Sequence, residues 1–133
     1  MAFDFSFDFD HKLVYVAASA KIDLASGVEA MRVLLSDNRF EKDMRILVDL
    51  REVDYALSAE EVIKLLPSPV WRAIIDGHQI AVVAGKPVQF GMANVLARKT
   101  GDAVTMQPFY TVEEAMGWLR IGPDSEIQLR VAG

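Results

Sequence analysis

Over the first ten residues apolar and polar positions alternate strictly. Phe3, Phe5, Phe7 and Phe9 interleave with Asp4, Ser6, Asp8 and Asp10. A period of two predicts a strand with one aromatic and one acidic face. On this pattern Asp4, Asp8 and Asp10 form a solvated face. Asp10-His11-Lys12 can turn the chain, and residues 13–20, rich in Val and Tyr, predict a second strand paired with the first as a hairpin. The period then lengthens. Leu24, Val28, Met31 and Leu35 recur at helical spacing and predict a helix that buries one stripe. Asp23 suits its N-cap, and Ser26 with Glu29 offers a capping box one turn later. Asp37-Asn38 ends the helix, and Phe40 is expected to tuck back onto the core.

Residues 45–50 hold Ile46, Leu47, Val48 and Leu50 around Asp49, the composition of a strand buried on both faces. Residues 51–57 read as a polar loop, and Ser58 with Glu61 reads as a capping box that opens the next helix. Pro67 stops that helix. Ser68-Pro69 restarts one that carries Val70, Trp71, Ile74 and Ile75 and closes at Gly77. Residues 79–84 predict a further buried strand, and 87–99 a helix with Val88, Met92, Val95 and Leu96 inward, ending at Gly101. Residues 103–106 predict another strand. Thr111 with Glu114 caps a last helix that carries Ala115, Met116, Trp118 and Leu119 before Gly122-Pro123. In the tail, 122–133, Ile127, Leu129 and Val131 alternate weakly, as an edge strand or a frayed end would.

The order β-β-α-β-α(α)-β-α-β-α implies an α/β domain. Its sheet is mixed and mostly parallel, with helices packed on it, and the stretches 45–50, 79–84 and 103–106 are parallel and central. At 133 residues, with neither repeat nor low-complexity linker, residues 1–133 read as one domain.

Composition narrows the function classes. Hydrophobic residues make up 52% of the chain and mean hydropathy is +0.20, which excludes a disordered chain. The surplus apolar content predicts a homodimer. A net charge of −5, with no basic cluster, argues against nucleic acid and against electrostatic attachment to anionic membranes. The absence of cysteine removes disulfides, thiol nucleophiles and Cys-based zinc sites. The first residues lack the basic and apolar regions of a signal peptide, and no run reaches the length of a membrane span, so a cytoplasmic location is expected.

No catalytic motif stands out. Gly85-Lys86-Pro87 joins a strand to a helix N-terminus, where an anion can bind, but the remaining glycines of a phosphate-binding P-loop are missing. The plainer reading is a βα turn with a solvated lysine. Gln89 and Asn94 lie near the same end with hydrogen-bonding groups. Asp49, Asp54, Glu60 and Glu61 gather in sequence around the 51–57 loop, and acid/base work would require burial to split their pKa values. The plainer reading has Asp49 bonded to backbone at the strand end and the others in water. Ser58, His78 and Asp49 supply the residue types of a triad, without the G-x-S-x-G elbow. Trp71, Ile74 and Ile75, on a short helix bounded by Pro69 and Gly77, suit either a core helix or a flap over an apolar space. Six methionines, which adapt to irregular apolar shapes, fit the second case.

I-L-V-D-L-R-E-V (46–53), Q-I-A-V-V-A-G (79–85), F-G-M-A (90–93) and T-V-E-E-A-M-G-W-L (111–119), in this order, resemble the SpoIIAA-like proteins. These are a branch of the STAS-type, anti-sigma-factor antagonist fold, which itself resembles CRAL-TRIO lipid-transfer domains. The resemblance spans roughly residues 10 to 120. It implies a small cytoplasmic regulatory or binding domain and no enzyme. In anti-sigma-factor antagonists the loop after this strand carries D-S-S-G, with the second serine as phosphate acceptor. By spacing, those positions are Leu57, Ser58, Ala59 and Glu60 here, so the acceptor position holds an alanine without a hydroxyl.

Two functions are therefore expected, neither enzymatic. One is a STAS-like regulatory or protein-interaction domain that lacks the phospho-acceptor serine. The other is a carrier or sensor of a small apolar, lipid-like ligand, with transient membrane contact through residues 68–77. The candidate ligand or partner residues are Asp49, Tyr55, Ser58, Trp71, Ile74, Ile75, Lys86, Gln89 and Met92, with no catalytic residue, metal ligand or cofactor expected.

Overall fold

The computed structural model describes residues 3–55, 57–100 and 105–127, with the backbone alone at residue 55. Along the chain run β1 (Phe3–Asp8), β2 (Leu13–Lys21), α1 (Leu24–Ser36), β3 (Arg45–Tyr55), α2 (Ala59–Leu65), α3 (Pro69–Ile75), β4 (Ile80–Val83), α4 (Pro87–Lys99), β5 (Met106–Phe109) and α5 (Val112–Leu119). The strands form one sheet in the order β1-β2-β3-β4-β5. β1 runs antiparallel to β2, and every other pairing is parallel, as the hairpin and the later strand–helix alternation imply.

Strand periodicity sorts the core into two halves. Val14, Ile46, Ile80 and Met106 stand in register across four strands, and their side chains meet α1, α2, α3 and α4. Leu13, Tyr15, Leu47, Ala81 and Val83 point the other way, onto Val112, Ala115, Met116 and Leu119 of α5. Phe3, Phe5 and Phe7 lie on the first face, so the aromatic side of β1 extends the floor under α1.

The loop expected over 51–57 is strand up to Tyr55. Ser19, Ala20 and Lys21 of β2 pair with Glu52, Val53 and Tyr55, and the ladder overrides the polar composition of the segment. A register shift between Ala17 and Ser19 lets β3 carry an extra residue, which leaves both Leu50 and Val53 on the α1–α4 side. The strand expected over 103–106 is β5, Met106–Phe109, and it is an edge strand instead of a central one. Residues 103 and 104 lie outside the described residues. Pro108 explains the placement, because a proline cannot donate to a second neighbour and is tolerated at an edge.

Three further expectations change. The capping box of α1 is Asp23 with Ser26, one turn before the Ser26–Glu29 pair, and Glu29 instead bonds Arg32. Leu34 and Ala30 are the buried residues of α1, while Leu35 is exposed. In α4, Val88 is 70% exposed and Gln89 takes the inward position. The expected helix end at Gly101 and the tail residues Leu129 and Val131 lie outside the described residues. Within the described part of the tail, Ile127 is buried against the α5 half of the core and Ser125 is also buried.

Ser125 also corrects the reading of Asp8 as a solvated carboxylate. Its hydroxyl donates to Asp8 at 2.8 Å, and His11 Nδ1 lies 2.9 Å from the same carboxylate, with His11 Nε2 3.2 Å from Asp124. Burial raises the Asp8 pKa, but the Ser125 and His11 hydrogen bonds outweigh it and hold the carboxyl below its usual range. Asp8 in turn draws the His11 imidazole above its ordinary value. The turn between β1 and β2 is thereby tied to residues 124–125.

Candidate functional site

Between the sheet and the α1–α4 layer lies an apolar cavity of about 190 Å³. Val16, Ile46, Val48, Ile80 and Val82 make its floor. Met31 and Leu34 of α1, Val62 and Leu65 of α2, Trp71 and Ile74 of α3 and Met92 and Leu96 of α4 make its roof. Phe3 and Phe5 close the β1 side. The void has a sequence cause. Ala30 and Ala93 present only methyl groups to the wall and Gly27 presents no side chain, so these positions contribute little volume.

Such a space is expensive when empty. Its apolar lining side chains lack packing partners on the cavity side, which is unfavourable when the space is left unfilled.

The polar features of the wall are few. Gln89 is 3% exposed, and its Nε2 donates to Val53 O at 2.8 Å, leaving Oε1 buried without a partner. The indole Nε1–H of Trp71 is also buried without a partner. No Lys, Arg, His, Asp or Glu lines the cavity among the described residues.

Of the nine residues singled out in the sequence, Trp71, Ile74, Gln89 and Met92 come together here. Ile75 packs on the same core without lining the space. The side chain of Tyr55 lies outside the described residues. Lys86 is exposed, with Nζ 3.4 Å from Val53 O, beside the Gln89 bond to that carbonyl. Sequence reasoning missed Phe3, Phe5, Val53, Met31, Leu57 and the small residues Ala30 and Ala93. The aromatic side of β1 was a usable signal for the first two. For Val53 none existed, because the register shift decides its side.

Asp49 belongs to the opposite face. Its carboxylate accepts the Tyr15 hydroxyl at 2.5 Å, the Arg51 backbone N–H at 3.0 Å and the Arg51 guanidinium at 3.0 and 2.8 Å. Burial alone would raise the Asp49 pKa, but the Arg51 and Tyr15 hydrogen bonds outweigh it and hold the carboxyl low. Burial, then the adjacent Asp49, pushes the Tyr15 hydroxyl up to about 12. The group is internally satisfied and ties β2 to β3.

Ser58 is a structural cap. Its side chain accepts from Glu61 N at 3.2 Å, and Glu61 Oε1 accepts from Ser58 N at 3.0 Å. Glu61 Oε2 also accepts from Leu24 N at 3.0 Å, so one carboxylate joins the N-termini of α1 and α2. Those N–H bonds, Ser58's first, hold the Glu61 pKa low. Ser58→Ala is expected to cost about 1 kcal/mol by loss of one cap. Glu61→Ala should cost more, since two helix ends lose a partner. Urea denaturation of both variants checks the order, and an equal or smaller loss for Glu61→Ala would remove the double cap from the account.

Ser58, His78 and Asp49 do not form a triad. His78 Nδ1 bonds Met44 O at 2.7 Å and its ring stacks on Phe40, next to the start of β3, while Ser58 follows the far end of that strand. Asp49 faces α5 instead. Among the described residues no three His, Asp or Glu side chains stand close enough to hold a metal ion, and no helix is long and apolar enough to cross a membrane.

The architecture has known counterparts. The chain is similar to an uncharacterized protein of the DUF3478 family with a SpoIIAA-like fold from Shewanella loihica PV-4. The TM-score is 0.59 at 21% identity, over 89% of this chain and 92% of that one. It is also similar to the anti-sigma factor antagonist SpoIIAA in its unphosphorylated form, with a TM-score of 0.50 at 15% identity, over 90% of this chain and 98% of that one. No family model and no curated protein matches the chain.

Proposed function

We propose that this SpoIIAA-like domain is a non-enzymatic regulatory or carrier module that takes a small apolar ligand between its sheet and its α1–α4 layer. The observation that carries the reading is the cavity of about 190 Å³ with an almost wholly apolar wall. A ligand that fills it offsets the cost of the void and stabilises the folded state by an amount that grows with the logarithm of its free concentration once that exceeds Kd.

The wall has a natural gate. α3 spans seven residues, and Ser68 at its N-cap makes no side-chain hydrogen bond. Pro67 and Pro69 set it apart from α2, and Gly77, at φ +82°, ends the segment with a backbone that glycine adopts without strain. A helix this short is not stable alone, so burial of Trp71 and Ile74 keeps it ordered. With alanine at position 59, where the resemblance puts the phosphate acceptor, ligand occupancy is the signal this module reports.

Amide exchange tests the reading, with toluene as a purely apolar probe. Residues 70–76 should exchange faster than α4 in the free protein and slow when toluene is added. Exchange as slow as that of α4, and unmoved by toluene, would make α3 plain core and end the carrier reading.

A further inference from the structure

We propose that His11 is a protonation-dependent latch: its charged imidazolium fastens residues 124–127 to the turn between β1 and β2, and the neutral ring lets them go. The segment it holds packs on the α5 half of the core, apart from the cavity.

The two ring nitrogens carry the argument. Nδ1 lies 2.9 Å from Asp8 Oδ2, and Nε2 lies 3.2 Å from Asp124 Oδ1. Both partners are carboxylate oxygens, which only accept. A neutral imidazole has one N–H and one lone pair, so it satisfies one carboxylate and turns its lone pair on the other. Only the imidazolium donates to both.

The surroundings decide which contact yields. The Asp8 side chain is 8% exposed, and its carboxylate also accepts the Ser125 hydroxyl at 2.8 Å and the His11 backbone N–H at 3.2 Å. Asp8 is therefore fixed, and it keeps the remaining ring N–H. The Asp124 side chain is 79% exposed and can exchange His11 for water. Gly122 leaves room for the contact, since a Cβ there would stand 2.7 Å from Asp124 Oδ1, the oxygen that faces His11. Release of Asp124 loosens the segment that brings Ser125 to Asp8 and Ile127 to the core.

Other charged groups meet at this end of the sheet. Asp10 and Lys12 belong to the same turn. The Arg45 guanidinium of β3 donates to the His11 and Leu119 carbonyls, and the charge of Arg120 bears on Arg45. The cations act against an imidazolium. Even so, the Asp8 hydrogen bond, helped by that of Asp124, outweighs burial and raises the His11 pKa above 6.5. The latch is thus fully closed below pH 6.5 and opens as pH rises through the higher folded value.

Solution NMR of the full chain tests this. The His11 ring signal, identified by its absence in His11→Gln, is titrated between about pH 5.5 and about pH 8.5. Protection of the Ser125 amide, which donates to Gly122 O, is compared at the two ends of that range. In wild type the His11 midpoint should lie above 6.5. Ser125 protection should fall about two- to fivefold across it, the scale of an exposed ion pair. Asp124→Asn should lower the midpoint and remove the pH dependence, because an amide accepts from the charged ring and donates to the neutral one. Gly122→Ala should lower the midpoint while leaving every charged group in place. A wild-type midpoint at or below 6.5, Ser125 protection constant across the titration, or a midpoint unmoved in either variant would overturn the latch.

Discussion

Trp71→Ala is expected to destabilise the protein by about 3–5 kcal/mol, the range for removing a buried large aromatic side chain. The upper part of that range applies. Trp71 is 5% exposed and already borders a void, so its removal enlarges an existing space that the sheet cannot collapse to fill. α3 also loses its main anchor, and the helix has no side-chain cap to replace it. Equilibrium unfolding in urea gives the number, with an unchanged dependence on denaturant confirming that the folded state is compared with a similar unfolded state. A loss under 1 kcal/mol would mean that the indole is not packed as described, and α3 would cease to be a structural wall.

Asp49→Ala is expected to cost about 3 kcal/mol, for a different reason. Removing one partner of a buried charged group leaves the others unpaired, which costs about 3–5 kcal/mol in a dry interior. Here Tyr15 would lose its acceptor inside the α5 half of the core, but the Arg51 side chain is 33% exposed and regains water, so the lower end applies. Asp49→Asn, which keeps an acceptor for the Tyr15 hydroxyl, should cost less. The pH dependence has a definite sign. The folded-state pKa of Asp49 is held below 3.8, so the unfolded state binds the proton first. This contribution is present above the unfolded value of 3.8 and is lost as pH falls through the folded value. Wild type should therefore lose stability below about pH 4 more steeply than Asp49→Asn does. Parallel acid limbs for the two proteins would show that Asp49 does not titrate as a buried ion pair.

Much of the site's frame was legible without coordinates. The alternation of Phe3, Phe5 and Phe7 marks a strand face, and Ser58 with Glu61 marks a helix start. Pro67, Pro69 and Gly77 isolate α3. Each is a short-range effect, set by a residue's own backbone preference or by hydrogen bonds to neighbours three or four positions away. Other features were not legible for equally physical reasons. Val88 and Gln89 are adjacent, and apolar character alone favoured Val88 as the inward residue. The Val53 carbonyl, 36 positions away in sequence from Gln89, offers the amide a partner that Val88 cannot use. Asp49 sits in an apolar run, and strand alternation puts it on the side away from Val48, but which side meets α5 is decided by how the helices pack on the sheet.

Periodicity and capping residues set the order of elements, their capped and proline-broken ends and the two-sided apolar strands of a mixed, mostly parallel α/β sheet, because periods of two and 3.6 are local properties of the backbone. Tertiary structure alone decided how far β3 extends, since that depended on β2 as a ladder partner, and it moved β5 to the sheet edge. It also decided the cavity. A void is what remains after β1, β2, β3, β4 and α1 to α4 have placed their side chains, and no single element's pattern carries that difference.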